Sequence, residues 1–132
     1  MGSRDLVLLT LDADGALLSH QRWGDERTDE AGDVLVKDGV VSLSGAFEQR
    51  LDFGGGQLQA EGPRNVFVAR LAIGEDLSLS HLLSRSFGGS GTSRPRRMAE
   101  HQGALLIVGE FLQEIDLGHG PWWSPIGDDM GT

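Results

Sequence analysis

The strongest constraint on the fold of this chain is an internal repeat. Residues 23–56 align with residues 87–120 without a gap, at an offset of 64 positions (87 minus 23). The identical positions are mostly glycine, and several others are apolar in both copies. Glycine recurs in a repeat wherever the backbone turns or two backbones come close. The chain is therefore expected to stack copies of one supersecondary unit.

A second match places the start of the chain within the same repeat. The segment RDLVLLTL at residues 4–11 aligns with RNVFVARL at residues 64–71, at an offset of 60 positions (64 minus 4). The difference between the two offsets falls in the connection that follows, and insertions in a repeat belong in such connections. The sequence thus predicts a single repeat domain over residues 1–132, with units of approximately residues 1–64 and 65–132.

Each unit has the sequence pattern of β-strands joined by hairpin turns. Asp14-Gly15 and Asp38-Gly39 are the clearest turn signals, because Asp-Gly supplies the positive φ of a tight hairpin. No segment shows sustained helical periodicity. The sequence predicts an all-β fold with four antiparallel strands per unit, and the intervening segments are interpreted as loops. The predicted strands cover residues 5–11, 16–23, 34–37, 40–47, 65–71, 77–87, 98–101 and 104–111.

Several motifs resemble those of a known repeat family. GDVLVKDGVVSLSGAF, LDFGGG, GPRNVFVARL and LLSRSFGG are similar to the seven-bladed β-propeller repeat of bacterial surface and secreted proteins, often called SBBP. The resemblance implies β-propeller-type blades of four-stranded antiparallel sheet, with two blade equivalents per chain in circularly permuted phase. It also implies a non-enzymatic binding or scaffold module, located outside the cell or at its surface. The 64-residue period exceeds the roughly 40–50 residues of typical blades, and the excess lies in the predicted loops.

The phase of the repeat predicts partners. The chain opens with the third and fourth strands of one set and closes with the first and second strands of another. In one interpretation the closing pair is completed by the opening pair of another copy, and three or four copies form a ring. In the other, the chain belongs to a longer array whose neighbours bury its faces. The expected partners are therefore further copies of the chain or neighbouring repeats.

Equivalent segments of the two units carry opposite charge. Each segment precedes the first strand of a predicted set, and loops lying side by side on one face would attract each other. The alternative is a pair of solvated loops, since exposed ion pairs contribute only about 0–1 kcal/mol each. The residues considered for charge pairing between units are Asp25, Glu26, Asp29, Glu30 and Asp33 on the acidic side, and Arg94, Arg96 and Arg97 on the basic side.

Two adjacent tryptophans are the candidate ligand-binding residues. Trp122 and Trp123 lie between Pro121 and Pro125, and neighbouring side chains of a strand point to opposite faces. An exposed ring would stack on a sugar or anchor a protein partner. A lectin-like, carbohydrate-binding propeller is therefore an alternative function. The other interpretation of the pair is a hydrophobic plug where two copies meet.

The remaining polar residues show no pattern of a metal, phosphate or catalytic site. DADG at residues 12–15 is interpreted as a turn, because no later Glu follows at the spacing of a calcium loop. The four histidines form no paired-ligand motif, and the glycine clusters are not followed by the Lys-Ser/Thr of a phosphate-binding loop. No catalytic residue, metal or cofactor is predicted. An enzyme with its site in the central channel of an assembled propeller stays an alternative by analogy alone.

Charge and hydropathy limit the partners further. The formal net charge of −9 repels polyphosphates, and the basic cluster at residues 94–97 is small, so no nucleic-acid partner is expected. The longest apolar run, residues 104–108, is too short for a membrane span. The N-terminal residues lack the pattern of a secretory signal peptide. The expected location outside the cell therefore rests on the family resemblance.

Overall fold

The computed structural model describes residues 4–24 and 27–123. These residues form antiparallel sheets, which confirms the predicted all-β class. They include no helix that is long and apolar enough to cross a membrane. The strands in chain order are β1 (Leu6–Leu11), β2 (Leu17–Trp23), β3 (Asp29–Lys37), β4 (Val40–Phe47), β5 (Arg50–Asp52), β6 (Gln57–Gln59), β7 (Asn65–Ile73), β8 (Leu79–Phe87), β9 (Thr92–His101), β10 (Ala104–Leu112), β11 (Glu114–Asp116) and β12 (Pro121–Trp123).

One four-stranded sheet, which we call the central sheet, lies between two smaller ones. Its order is β3-β4-β7-β8, and the hairpin β5-β6 is inserted between its second and third strands. The two-stranded sheet β1-β2 packs on one face, where Leu6 belongs to the same buried cluster as Phe47 and Phe67. The two-stranded sheet β9-β10 packs on the other face, mainly through β9 against β3 and β4. The three sheets form an open stack within the described residues.

Matching sequence positions adopt matching backbone structure. β10, β11 and β12 each begin 64 positions after β4, β5 and β6 (104 minus 40 for the first pair). The hairpin turns carry the same positive φ, 53° at Asp38 and 51° at Gln102, although only the first has the Asp of the motif. The β3-β4 and β9-β10 pairings both slip by one residue at the same repeat position, at Gly32 and Arg96. The repeat therefore extends to turns and bulges.

Neighbouring sheets are joined by the same backbone hydrogen bond. The Asp29 amide donates to the Arg4 carbonyl, and the Ser93 amide donates to the Arg64 carbonyl, both at 2.9 Å. The donors lie 64 positions apart (93 minus 29) and the acceptors 60 (64 minus 4), which are the two offsets of the sequence repeat. The step from the first sheet to the second is thus repeated from the second to the third at this junction.

Two of the repeated glycines mark close approach between strands rather than turns. A Cβ at Gly45 would collide with the Glu30 carbonyl oxygen and with the Phe67 ring. A Cβ at the equivalent Gly109 would collide with the Arg94 carbonyl oxygen. Any side chain at these two positions would force the strands apart, because backbone atoms have little room to yield.

The main hydrophobic core lies between β1-β2 and the central sheet. Phe53 packs between Trp23 and Phe67, with ring centroids 5.1 Å apart in each pair. Phe47 lies 6.4 Å from Phe67 in an edge-on arrangement, which suits the charge distribution of aromatic rings. Leu6 of β1 belongs to the same buried cluster. The first sheet is therefore held to the second by apolar contact.

The first strand of each set is longer than predicted. β3 begins at Asp29 and β9 at Thr92, whereas the predicted strands begin at residues 34 and 98. The charged and small residues of these segments have low strand propensity, but pairing along β4 and β10 overrides it. Glu30 and Arg94 consequently lie in strands, where a loop was predicted.

Two short hairpins also lie where loops were predicted. β5-β6 and β11-β12 have three residues per strand, too few for alternation to be recognised in the sequence. Their turns share one device. Asp52 Oδ1 accepts a hydrogen bond from the Gly54 amide at 2.7 Å, and Asp116 Oδ1 accepts one from the Gly118 amide at 2.8 Å. Asp52 and Asp116, at the same repeat position, thus each stabilise a turn.

Candidate assembly surface

Strands β1 and β10 each lie at a sheet edge that their repeat equivalents do not have. Within the described residues, β1 pairs with β2 and no other strand, and β10 pairs with β9 and no other strand. Their equivalents in the central sheet are β7 and β4, which pair with each other as well as with their outer neighbours. In the central sheet, the edge of β4 is hydrogen-bonded to the edge of β7. The equivalent edges of β10 and β1 are open within the described residues.

One face of β1 is exposed where the same face of β7 is buried. The three positions on this face are apolar in both strands and are related by the 60-residue offset. They are Val7 (57% exposed), Leu9 (54%) and Leu11 (53%) on β1, against Phe67 (1%), Ala69 (0%) and Leu71 (2%) on β7. Three alternating apolar side chains in solvent form a continuous patch along an open edge, unlike scattered exposed apolar residues.

Strand β10 is also exposed on one face. Leu106 and Val108 are more than half exposed, whereas Ser42 and Ser44, their equivalents on β4, are buried. On β4 this face lies against the next sheet, since β4 contacts β9 and a Cβ at Gly32 would lie close to both Ser44 and Pro95. β10 thus carries leucine and valine on an exposed face, where β4 carries serine on a buried one. This face is more apolar than contact with solvent requires.

A cleft separates β10 from the central sheet. Its volume is about 390 Å³, and its lining is mainly apolar, with Val66, Phe87, Ile107 and Phe111 among the residues. The equivalent space between β1-β2 and the central sheet measures about 210 Å³ and is lined in part by Phe67. Phe67 belongs to the third strand of its own sheet, and the sheet β9-β10 has no third strand in the described residues. The cleft is thus larger at the sheet for which the described residues supply no strand equivalent to β7.

The predicted charged segments meet at Glu30. Its carboxylate lies 2.9 Å from Arg4, 3.1 Å from Arg64 and 3.3 Å from Arg94. Glu30 and Arg94 occupy the same repeat position, 64 residues apart, and their contact joins β3 to β9. The structure therefore brings together one acidic and one basic member of the predicted set at the junction of two sheets.

The other predicted charged residues are distributed differently. Arg96 pairs with Glu110 at 3.1 Å, within the β9-β10 pair rather than between sheets. Asp29 is buried, and its backbone amide makes the sheet-joining hydrogen bond to Arg4. Asp25 and Glu26 lie outside the described residues.

Asp33 links β3 to β9 through a backbone hydrogen bond. Its Oδ2 accepts from the Met98 amide at 2.8 Å, and its Oδ1 accepts from the Val34 amide at 2.9 Å. These two hydrogen bonds, with a smaller contribution from the charge of Arg97, hold the pKa of Asp33 below its usual value. Its ionised form thus stabilises the junction between β3 and β9, the two strands that Glu30 and Arg94 also join.

Of the two candidate tryptophans, one has a described side chain. Trp123 is 65% exposed on β12, where it pairs with Glu114. Trp122 pairs through its backbone with Ile115, and its side chain lies outside the described residues. Trp123 therefore presents an aromatic surface to solvent at the end of the last short hairpin.

The exposed faces of β1 and β10 were not among the residues selected from the sequence. The offset alignment carries the signal, because the apolar positions of the buried β7 face recur in β1, where no described residue covers them. The described residues contain no group of three or more His, Asp or Glu side chains placed to hold a metal ion.

No protein-family model, no curated protein and no solved structure matches the chain.

Proposed function

We propose that the chain is a non-enzymatic module of β-propeller type that works as a scaffold or binding protein by assembling with further blades. The observation that carries this proposal is the state of β1 and β10. Within the described residues, each has an unpaired edge and an exposed apolar face, whereas the equivalent strands of the central sheet are paired on both sides and buried. Open edges of this kind pair with other strands unless they are protected.

The order of the sheets supports blades as the unit of assembly. The central sheet is a four-stranded antiparallel meander apart from its inserted hairpin, and the sheet-joining hydrogen bond recurs at the next junction. Radial repetition of such sheets is how propellers bury the faces of individual blades. The SBBP-like motifs favour the same architecture, and with it a location at the cell surface or outside the cell.

The mass of the protein in solution tests the proposal. We expect light scattering to give a multiple of the chain mass of 14.2 kDa, three or four copies for a closed ring, over a range of protein concentrations. A folded single chain at every concentration up to the solubility limit would contradict assembly between copies. Circular dichroism on the same samples establishes that the chain is folded.

A lectin-like function is a second candidate, favoured by the exposure of Trp123. An exposed indole offers a flat apolar surface on which a sugar ring stacks. A glycan array tests this candidate directly, with Trp122→Ala and Trp123→Ala as the variants. Binding by the parent protein that Trp123→Ala abolishes would support it, and an array without any bound glycan would exclude it for the glycans present.

A further inference from the structure

We infer that the partner is a second copy of this chain, and that its β1 pairs antiparallel with β10 of the first copy. This inference rests on the proposed assembly and specifies its contact. The completed sheet would have the order β9-β10-β1-β2, with the last two strands from the second copy. That order repeats β3-β4-β7-β8 of the central sheet strand for strand.

The register of the new pair follows from the register already present in the central sheet. There Val41 pairs with Leu71, Leu43 with Ala69, and Gly45 with Phe67. Moving the first member forward by 64 positions and the second back by 60 gives the equivalent positions of β10 and β1. The pairs across the two copies are Leu105 with Leu11, Leu106 with Thr10, Ile107 with Leu9, Val108 with Leu8, and Gly109 with Val7.

This register fills the cleft at β10. In the central sheet, the ring of Phe67 lies over Gly45, where a Cβ would collide with it. The equivalent glycine, Gly109, lines the 390 Å³ cleft and leaves the same space open. Val7 of the second copy would occupy that space, and Leu9 and Leu11 would follow along the same face. All three exposed side chains of β1 thereby enter a cavity lined by apolar groups.

The opposite faces of the two strands also fit. Side chains alternate along a strand, so the face of β1 that carries Leu6 stays packed on its own central sheet. In the completed sheet, Leu106 and Val108 share that face. They would therefore lie against the central sheet of the second copy, as Ser42 and Ser44 lie against the next sheet within one chain. Both exposed patches are covered by a single contact.

Cysteine cross-linking tests the register. Since the sequence contains no cysteine, the only disulfides that can form join the introduced residues. One chain carries Leu106→Cys and a second carries Thr10→Cys, and the two are mixed and oxidised. A second mixture pairs Ile107→Cys with Leu9→Cys. Along two antiparallel strands, the Cα–Cα distance between opposite residues alternates between a longer and a shorter value. The two mixtures sample one residue pair of each kind, so at least one pair has a Cα–Cα distance that suits a disulfide.

The matched control mixes Leu106→Cys with Leu9→Cys. This pair is one residue out of register, which places the two sulfurs on opposite faces of the sheet. We expect a linked dimer of mixed composition, identified by mass spectrometry, at least tenfold more abundant in one of the registered mixtures than in the control.

Light scattering on the same samples separates the inference from the proposed function. An oligomer without preferential linkage of the registered pairs would overturn the β1-β10 pairing and leave assembly in place. Single chains in every sample, including the parent protein, would overturn both. Preferential linkage in the control would show a shifted register and would also overturn the inference.

Discussion

The repeat offers a matched pair of substitutions that measures how much of the β1 face is buried in one chain. Leu11 and Leu71 are the same residue at the same repeat position. They differ in environment, since Leu71 is 2% exposed in the main core and Leu11 is 53% exposed on β1. We consider the replacement of each by alanine.

The two costs follow from burial. Leu71→Ala removes a buried side chain from a packed core and leaves a cavity, which costs about 2–5 kcal/mol of unfolding free energy. Complete burial of a leucine side chain stabilises a protein by about 1.5–3 kcal/mol. Because Leu11 is about half exposed and leaves no closed cavity, Leu11→Ala should cost only about 1 kcal/mol in a single chain.

Urea unfolding followed by circular dichroism measures both values. The measurement is made at a protein concentration where light scattering finds single chains, and the slope against urea must stay unchanged for the comparison to hold. At concentrations where copies assemble, Leu11→Ala should in addition lower the fraction assembled, because in the inferred contact the second copy would cover this side chain.

Equal costs for the two variants in single chains would refute this reasoning. That result would mean that Leu11 is as buried as Leu71 within one chain. The exposed patch on β1 would then not exist in solution, and the proposed contact would lose its basis.

Three further predictions address the sheet edges and junctions. Leu9→Lys should weaken assembly at least tenfold by light scattering, while Leu82→Lys, with the same 54% exposure on the outer strand β8, should leave it unchanged; equal effects would contradict the choice of edge. A double-mutant cycle with Glu30→Gln and Arg94→Gln should give a coupling of about 0.2–1 kcal/mol that falls as salt is raised, and no measurable coupling would remove the charge contact from the stability of the junction. The lowered pKa of Asp33 means that its stabilising contribution is complete above its ordinary value of 3.8 and is lost as pH falls through the folded value. The stability difference between the parent and Asp33→Asn should therefore shrink below that pH, and a difference that grows on acidification would contradict the hydrogen-bonded arrangement.

The sequence predicted those parts of the fold that local chemistry determines. The turn at Asp38-Gly39 is an example, because Asp-Gly favours the positive φ observed there. β4 was predicted with its observed bounds, since it is a continuous run of small and apolar residues between two turn residues. The predicted strands at residues 98–101 and 104–111 likewise leave Gln102-Gly103 as the turn of a second hairpin, and β9 and β10 are joined there.

The parts that were missed depend on contacts between distant segments. The start of β3 at Asp29 is polar in sequence and becomes a strand because β4 pairs along its whole length. Charge pairing was predicted between two loops, and the contact of Glu30 with Arg94 lies between two strands. In sequence, the alternating apolar residues of β1 are indistinguishable from those of a strand that faces a core. The strand pairing in the structure is needed to show that, among the described residues, β1 lies at an open edge.

The pairing of Glu30 with Arg94 limits how many sheets such an assembly contains. The two residues hold the same place in successive sheets, so a strictly uniform array would set acid against acid or base against base at this junction. Alternation avoids that repulsion only when every acidic sheet has a basic one on each side. A closed circle built by this rule has an even count, and its smallest interchangeable building block is a pair of sheets.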